Sequence, residues 1–240
     1  MEFEDEAIVL AARAYGETGA IVEVLTRSQG KWAAHVAGGA SRRLKPVLQP
    51  GVRGLFRYRA RLADQLGSGG LEPAGEGPAA LFDDADALAG LEAASAVLAA
   101  ALPEREPHPG VYLAFEQLLF AFADAAVWPA VFVRFEAGLL AELGFALDLS
   151  RCAVTGASED LSFVSPRTGR AVSAAAAGRW AERLLPLPRF LLSAQESLAP
   201  GDVAAGLRLT GHFLETVVFA AMHKPLPPAR RRLGERLANA

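Results

Sequence analysis

Apolar and polar positions along this chain follow two different periods, and the change from one to the other comes about a third of the way in. Up to about residue 74 they alternate over short runs bounded by turn residues, as in strands with one buried face. Residues 6 to 13 and 20 to 26 are rich in aliphatic side chains and are followed by Tyr15-Gly16 and Gln29-Gly30. Lys31 to Ala37 ends at Gly38-Gly39, and Gly51 to Leu62 is the longest run. A weaker fifth strand is predicted near Leu66 to Ala74, diluted by Gly67, Gly69 and Gly70. Five short strands at this spacing predict a small closed or nearly closed barrel, not alternating strands and helices.

Beyond about residue 84 the period is helical. After Pro109, Tyr112, Phe115, Leu119, Phe122 and Ala126 recur on one stripe; after Pro129, Phe132, Phe135, Leu139 and Leu143 do the same and stop at Gly144. Both stripes read as core. Between Asp148 and Val172 periodicity fails, and Thr155-Gly156, Ser165-Pro166 and Thr168-Gly169 read as turns of a compact irregular insert. Ser173 to Leu185 is a predicted short helix around Trp180. Pro200-Gly201-Asp202 opens a last long helix running through Leu207, Phe213, Leu214, Val217 and Ala221, and Arg230, Arg231, Arg232 and Arg236 form a polar, frayed end. The Gly/Pro-rich run Gly75-Glu76-Gly77-Pro78 sets the expected boundary between a barrel domain, 1–78, and a helical domain, 79–240, with the insert at about 148–172. The fold class is α+β.

Composition narrows the function. At 240 residues and 52% hydrophobic the chain can bury a sizeable core. One cysteine, Cys152, makes no internal disulfide and supplies no multi-cysteine metal site. No charge-free run is long enough for a membrane span, and the acidic start Met1-Glu2-Phe3-Glu4-Asp5-Glu6 is unlike a secretory leader, so a cytoplasmic protein without a membrane partner is expected. Neither a phosphate-binding Gly-x-x-x-x-Gly-Lys loop nor a Gly-x-Gly-x-x-Gly turn is present, and His35, His108, His212 and His223 lack metal-ligand spacing. No catalytic residue, cofactor or metal is expected.

Charge distribution is more telling than the net charge of −3. From Arg27 to Arg61 there are nine bases and no acid. In Leu55 to Leu62, strict alternation puts Phe56, Tyr58, Ala60 and Leu62 on one face of a strand and Arg57, Arg59 and Arg61 on the other, about 7 Å apart. Like charges in a row repel, and a polyanion or an acidic partner relieves the repulsion. The run Ala37-Gly38-Gly39-Ala40-Ser41-Arg42-Arg43-Leu44-Lys45-Pro46 adds two glycines that permit close backbone approach to a ligand, then three cations. Trp32 or Tyr58 offers a stacking surface beside it or else fills the barrel, and His35 reads as a solvated strand histidine. Three functions stay open on the residues alone. One is a nucleic-acid binder; another is an adaptor whose basic face meets an acidic protein surface, with DNA contact incidental; the third is a thiol enzyme built on Cys152.

Two blocks of sequence add a resemblance. Tyr15-Gly16-Glu17-Thr18, Val24-Leu25-Thr26, Gln29-Gly30-Lys31, Gly38-Gly39-Ala40-Ser41-Arg42-Arg43 and Leu48-Gln49-Pro50 resemble the amino-terminal OB-fold domain of the bacterial recombination mediator family RecO. Arg134-Phe135-Glu136, Leu139-Leu140, Leu143-Gly144-Phe145, Leu149, Cys152-Ala153-Val154-Thr155-Gly156 and Phe163-Val164-Ser165-Pro166 are similar to its helical carboxy-terminal domain. The resemblance implies a five-stranded OB barrel followed by a mainly helical domain, and a protein that is not an enzyme. It implies binding of single- and double-stranded DNA, annealing of complementary strands, and work with RecR to load RecA onto strands coated by single-strand-binding protein, in the cytoplasm at the nucleoid. Carried onto this sequence, it gives DNA contacts to Arg42, Arg43, Lys45 and Lys31, beside the Arg57, Arg59 and Arg61 row, and gives Arg134 the acidic tail of single-strand-binding protein. Some members hold zinc on two cysteine pairs. Here Thr155 stands at the pair's spacing after Cys152, and no cysteine lies near Ser173 and Ala176. No metal is therefore expected, and Thr155, Ser165, Thr168 and Phe163 are left to stabilise the insert.

Overall fold

The structure is a computed structural model and describes residues 1–62, 65–75, 77, 81, 83–193 and 196–238. It separates into two compact units, Met1–Ala123 and Asp124–Ala240. Of the expected boundary run, Glu76 and Pro78 lie outside the described residues.

In the first unit, β1 (Glu2–Tyr15), β2 (Gly19–Thr26), β3 (Gly30–Val36), β4 (Arg53–Arg59) and β5 (Gly67–Pro73) close in the order β1-β2-β3-β5-β4. All neighbours are antiparallel except β3 and β5, giving the OB-type barrel. Alternation turns Val9, Val22, Val24, Ala34 and Phe56 inward. Trp32 and Tyr58 join them, with ring centroids 4.7 Å apart, so both expected stacking candidates fill the barrel. A bulge between Val9 and Ala11 bends β1, which pairs with β4 along its first half and with β2 from Ala7 onward.

β1 begins four residues earlier than the hydrophobic pattern indicates. Its first turnless stretch is acidic, and Glu and Asp are poor strand formers in isolation. Cross-strand pairing reverses that here, because Glu2 faces Arg59 and Glu4 faces Arg57 in the β4 register. β4 in turn ends at Arg59, leaving Leu62 61% exposed and not on the inner face.

Helices α1 (Ala85–Ala101) and α2 (Pro109–Ala121) belong to this unit. Asp84 caps α1 by accepting the amides of Asp86 and Ala87. Leu91 of α1 lies so close to Gly51, at φ +83°, that a methyl there would stand 3.0 Å from it.

The second unit packs α3 (Trp128–Glu142) against α5 (Asp202–Phe213), which continues as a π turn over Leu214–Phe219. Gly206 allows the close crossing, since a Cβ there would fall 2.7 Å from Val133 Cγ1. Most of the insert is turns and bends, as expected, but it also carries β6 (Leu161–Val164) and the start of β7 (Ala171–Ser173), which with β8 (Leu185–Pro186) beyond it form a small sheet in the order β7-β6-β8. Strands of two to four residues are too short to display a period. The helix expected over 173–185 is only α4 (Ala174–Ala177), because Gly178 at φ +44° breaks it into the 3-10 turn Gly178–Arg183. The supposed frayed end is the helix α6 (Pro228–Leu237). No helix among the described residues is long and apolar enough to cross a membrane.

Candidate nucleic-acid interface

The nine bases between Arg27 and Arg61 do not share one surface. Arg57 points outward from β4 as alternation requires, but its Nε donates to Glu4 Oε1 at 2.8 Å and its Nη1 lies 3.3 Å from Glu72 Oε2. The hydrogen bond and charge of Glu4 hold its pKa above the ordinary guanidinium value. Arg27 pairs with Glu6 at 2.6 Å, and Arg53 pairs with Glu116 at 3.1 Å while lying over the Phe120 ring. Thus the arginine row is neutralised in part by the barrel's own first strand, which corrects the expectation of a bare cationic face.

Lys31 departs furthest from expectation. It is 8% exposed, and its ammonium donates to the carbonyl of Ala99 at the end of α1. Its own carbonyl accepts the Arg105 amide at 2.9 Å. The residue ties β3 to the α1–α2 connection and is buried there, unlike the exposed DNA-contacting lysine expected from the resemblance. The alternation of β3 places it outward, but outward at that end of the strand means under α1.

What remains is concentrated at one loop. Arg42, Arg43 and Lys45, with Arg59 and Arg61, are exposed and form no ion pair among the described residues. The loop leaves β3 through Gly38, at φ +68°, and tightens where Leu44 N–H reaches Ser41 Oγ at 3.3 Å and Lys45 N–H reaches the Ser41 carbonyl at 2.9 Å. Gly39 serves the fold rather than a ligand: it is buried, and a Cβ there would stand 2.7 Å from Ala20 Cβ. The Ala40 amide donates to Thr18 O at 3.0 Å, joining the loop to the β1–β2 turn.

This seam brings in two residues that composition did not single out. Arg13 and Lys45 line one cleft of about 170 Å³, floored by Ala14, Ala20 and Leu48. Tyr15, 53% exposed, sits edge-on to His35 with centroids 5.6 Å apart. His35 is therefore half-buried beneath an aromatic ring and is not simply solvated. Period-two alternation carried through the end of β1 puts Arg13 and Tyr15 on one face, and that was the available signal. Cations that release counterions, a cleft and an exposed aromatic ring are the parts a single-strand site uses.

In the second unit, Arg134 is engaged. Its Nε and Nη2 donate to Phe190 O at 3.1 and 2.8 Å, and Nη2 also reaches Ser193 O at 3.3 Å. Arg230, expected on a frayed end, is 3% exposed and forms two hydrogen bonds to Glu136, which is fully buried. Thr210 Oγ1 also donates to Glu136 Oε2, and Arg230 Nη2 donates to Leu207 O.

Cys152 is buried, and its Sγ accepts the Ser173 amide at 3.3 Å and the Ser173 hydroxyl at 3.5 Å. Burial pushes the thiol up, but donors from Ser173 and Thr155 outweigh it and bring it down to about 6. The hydroxyls donate to the sulfur, so this cluster does not fit a zinc ion, which wants four ligands. No group of three or more His, Cys, Asp or Glu is placed to hold a metal among the described residues.

Comparison with known proteins agrees with this architecture. The family profile described as Recombination protein O N terminal matches residues 1–69, and that described as Recombination protein O C terminal matches residues 83–225. A DNA repair protein RecO of Phenylobacterium zucineum (strain HLK1) is 67% identical over 100% of this chain and 99% of its own length. One of Caulobacter vibrioides (strain NA1000 / CB15N) is 64% identical over 100% and 99%. A third, from Cereibacter sphaeroides (strain ATCC 17025 / ATH 2.4.3), is 50% identical over 99% of both chains. On the barrel, the helical unit and this similarity along its whole length, the chain belongs to the RecO family.

Proposed function

We propose that this chain is a DNA-binding recombination mediator whose barrel unit grips phosphates through Arg42, Arg43 and Lys45, joined by Arg59 and Arg61, and that it acts without bond-breaking chemistry. Membership of the RecO family carries a role in DNA repair and recombination. The finer reading is that it binds single- and double-stranded DNA and anneals complementary strands. With RecR it then helps load RecA onto strands coated by single-strand-binding protein, in the cytoplasm at the nucleoid. The observation carrying this reading is the loop after β3, where three exposed cations stand together without an internal carboxylate on a chain of net charge −3.

Annealing brings two polyanions together, and a cationic surface lowers their repulsion by releasing condensed counterions. No acid, base or nucleophile is needed. With four to six phosphate contacts, the log–log salt slope on single strands is expected to be about −3 to −4, from roughly −0.7 per contact. Replacing Arg42, Arg43 and Lys45 together by alanine is expected to flatten it by about two units, whereas Arg57→Ala leaves it nearly unchanged because Glu4 and Glu72 already neutralise that charge. Fluorescence anisotropy of a labelled oligonucleotide over a salt series measures both. An unchanged slope in the triple variant removes the loop from the footprint.

The acidic tail of single-strand-binding protein is assigned to the second unit beside Arg134, whose Nη1 has no hydrogen-bond partner among the described residues. Arg134→Ala is expected to weaken binding of an acidic, aromatic-ended peptide and leave naked-DNA binding nearly intact. Equal loss of both would refute this division between the units.

A further inference from the structure

Of the three tryptophans, Trp32 and Trp128 are buried at 3% and 1% exposure, whereas Trp180 is 48% exposed. It sits in the 3-10 turn Gly178–Arg183 of the second unit, between two cations. The guanidinium carbons of Arg179 and Arg183 each lie 5.1 Å from the centre of its ring. That turn buries none of its own side chains, so the ring and its two arginines hold no part of the core. Glu182 is the acid in the turn, leaving it a net positive charge.

We propose that Trp180, Arg179 and Arg183 form a second contact for single-stranded DNA, in which a base stacks on the indole and the displaced guanidinium takes the adjoining phosphate. The proposal rests on the DNA-binding reading above and extends it to a unit where no DNA contact has been assigned. Magnitudes favour the exchange. An exposed cation–π contact is worth less than the stacking of a base on an aromatic ring. The arginine freed from the ring also gains a phosphate and releases a counterion. A nucleic acid suits this turn better than a peptide: a peptide side chain that anchors an interface needs a desolvated pocket, and a turn that buries nothing offers none. A base needs only an open π face.

The test uses the full chain and a fluorescein-labelled dT oligonucleotide, read in parallel by label anisotropy and by intrinsic tryptophan emission. Wild type is expected to lose tryptophan emission in step with the anisotropy rise. Trp180→Ala should abolish that quench and weaken binding about tenfold, matching the loss of roughly one stacked base. Arg179→Ala with Arg183→Ala should flatten the salt slope by about one unit. Binding without a quench, or Trp180→Ala binding like wild type, overturns this site while leaving the DNA reading of the barrel loop in place. No anisotropy rise at low salt overturns both. A quench by an acidic aromatic-ended peptide and not by the oligonucleotide overturns the proposal in favour of peptide docking.

Discussion

Arg230→Met is expected to destabilise the Asp124–Ala240 unit by about 3–5 kcal/mol, the usual cost of removing one partner of a buried ion pair. Glu136 is 0% exposed on α3, and in the native unit both its oxygens accept from Arg230, with Thr210 Oγ1 adding a third donor. Methionine approximates the length of the arginine stem and packs beside Phe132, over which the guanidinium now lies, so little volume is lost. What is lost is the counter-charge. A single hydroxyl donor leaves the carboxylate's second oxygen buried and unpaired. Urea denaturation of the full chain followed by circular dichroism should show an earlier first transition. Combining Arg230→Met with Glu136→Leu should recover most of the loss, because the pair leaves together. A single variant within 1 kcal/mol of wild type would mean that water or another donor reaches Glu136, and the buried pair would then not be what docks α6.

The same pair shows what a sequence read alone leaves hidden. The helical stripe Phe132, Phe135, Leu139 was legible because burial repeats every three to four residues. Glu136 falls between two of its members, and no local pattern marks a carboxylate there as buried. Its partner is 94 positions away, and no local pattern links them. Arg230 lies in the run Ala229-Arg230-Arg231-Arg232, whose composition is that of a solvated tail. Only the turn of a helix separates Arg230, facing Glu136, from exposed Arg231 and Arg232. The barrel was more legible because three of its five strand pairings, β1–β2, β2–β3 and β4–β5, join strands that are consecutive in the chain. Even there, counting charges within residues 27 to 61 missed Glu2, Glu4 and Glu6, which closure of the barrel brings alongside β4. An acid-free stretch of sequence is not an acid-free stretch of surface. The loop at Arg42 to Lys45 survives as a candidate because it lies by the far end of β1, at Arg13 and Ala14, and not by Glu2, Glu4 and Glu6.

Gly30→Ala is expected to cost the barrel unit about 4 kcal/mol, and the reason separates structure from DNA contact in the Gln29-Gly30-Lys31 motif. Gly30 has φ +80°, where an L-residue is strained, and a methyl on it would overlap the backbone carbonyl of Glu106. Left-handed strain and overpacking against rigid backbone each contribute on the order of 1–3 kcal/mol. Gly38 supplies the control. It has φ +68°, but its nearest neighbour to an added methyl is Leu44 Cδ1 at 4.0 Å, so Gly38→Ala should show the strain alone, about 1–3 kcal/mol. The difference between the two variants in chemical denaturation then measures the close approach of Glu106 to the start of β3. Lys31→Met, where still folded, should keep the wild-type salt slope for single-stranded DNA, since the Lys31 ammonium is bonded to the Ala99 carbonyl and not to a phosphate. A flattened slope in the folded variant would return Lys31 to the DNA surface.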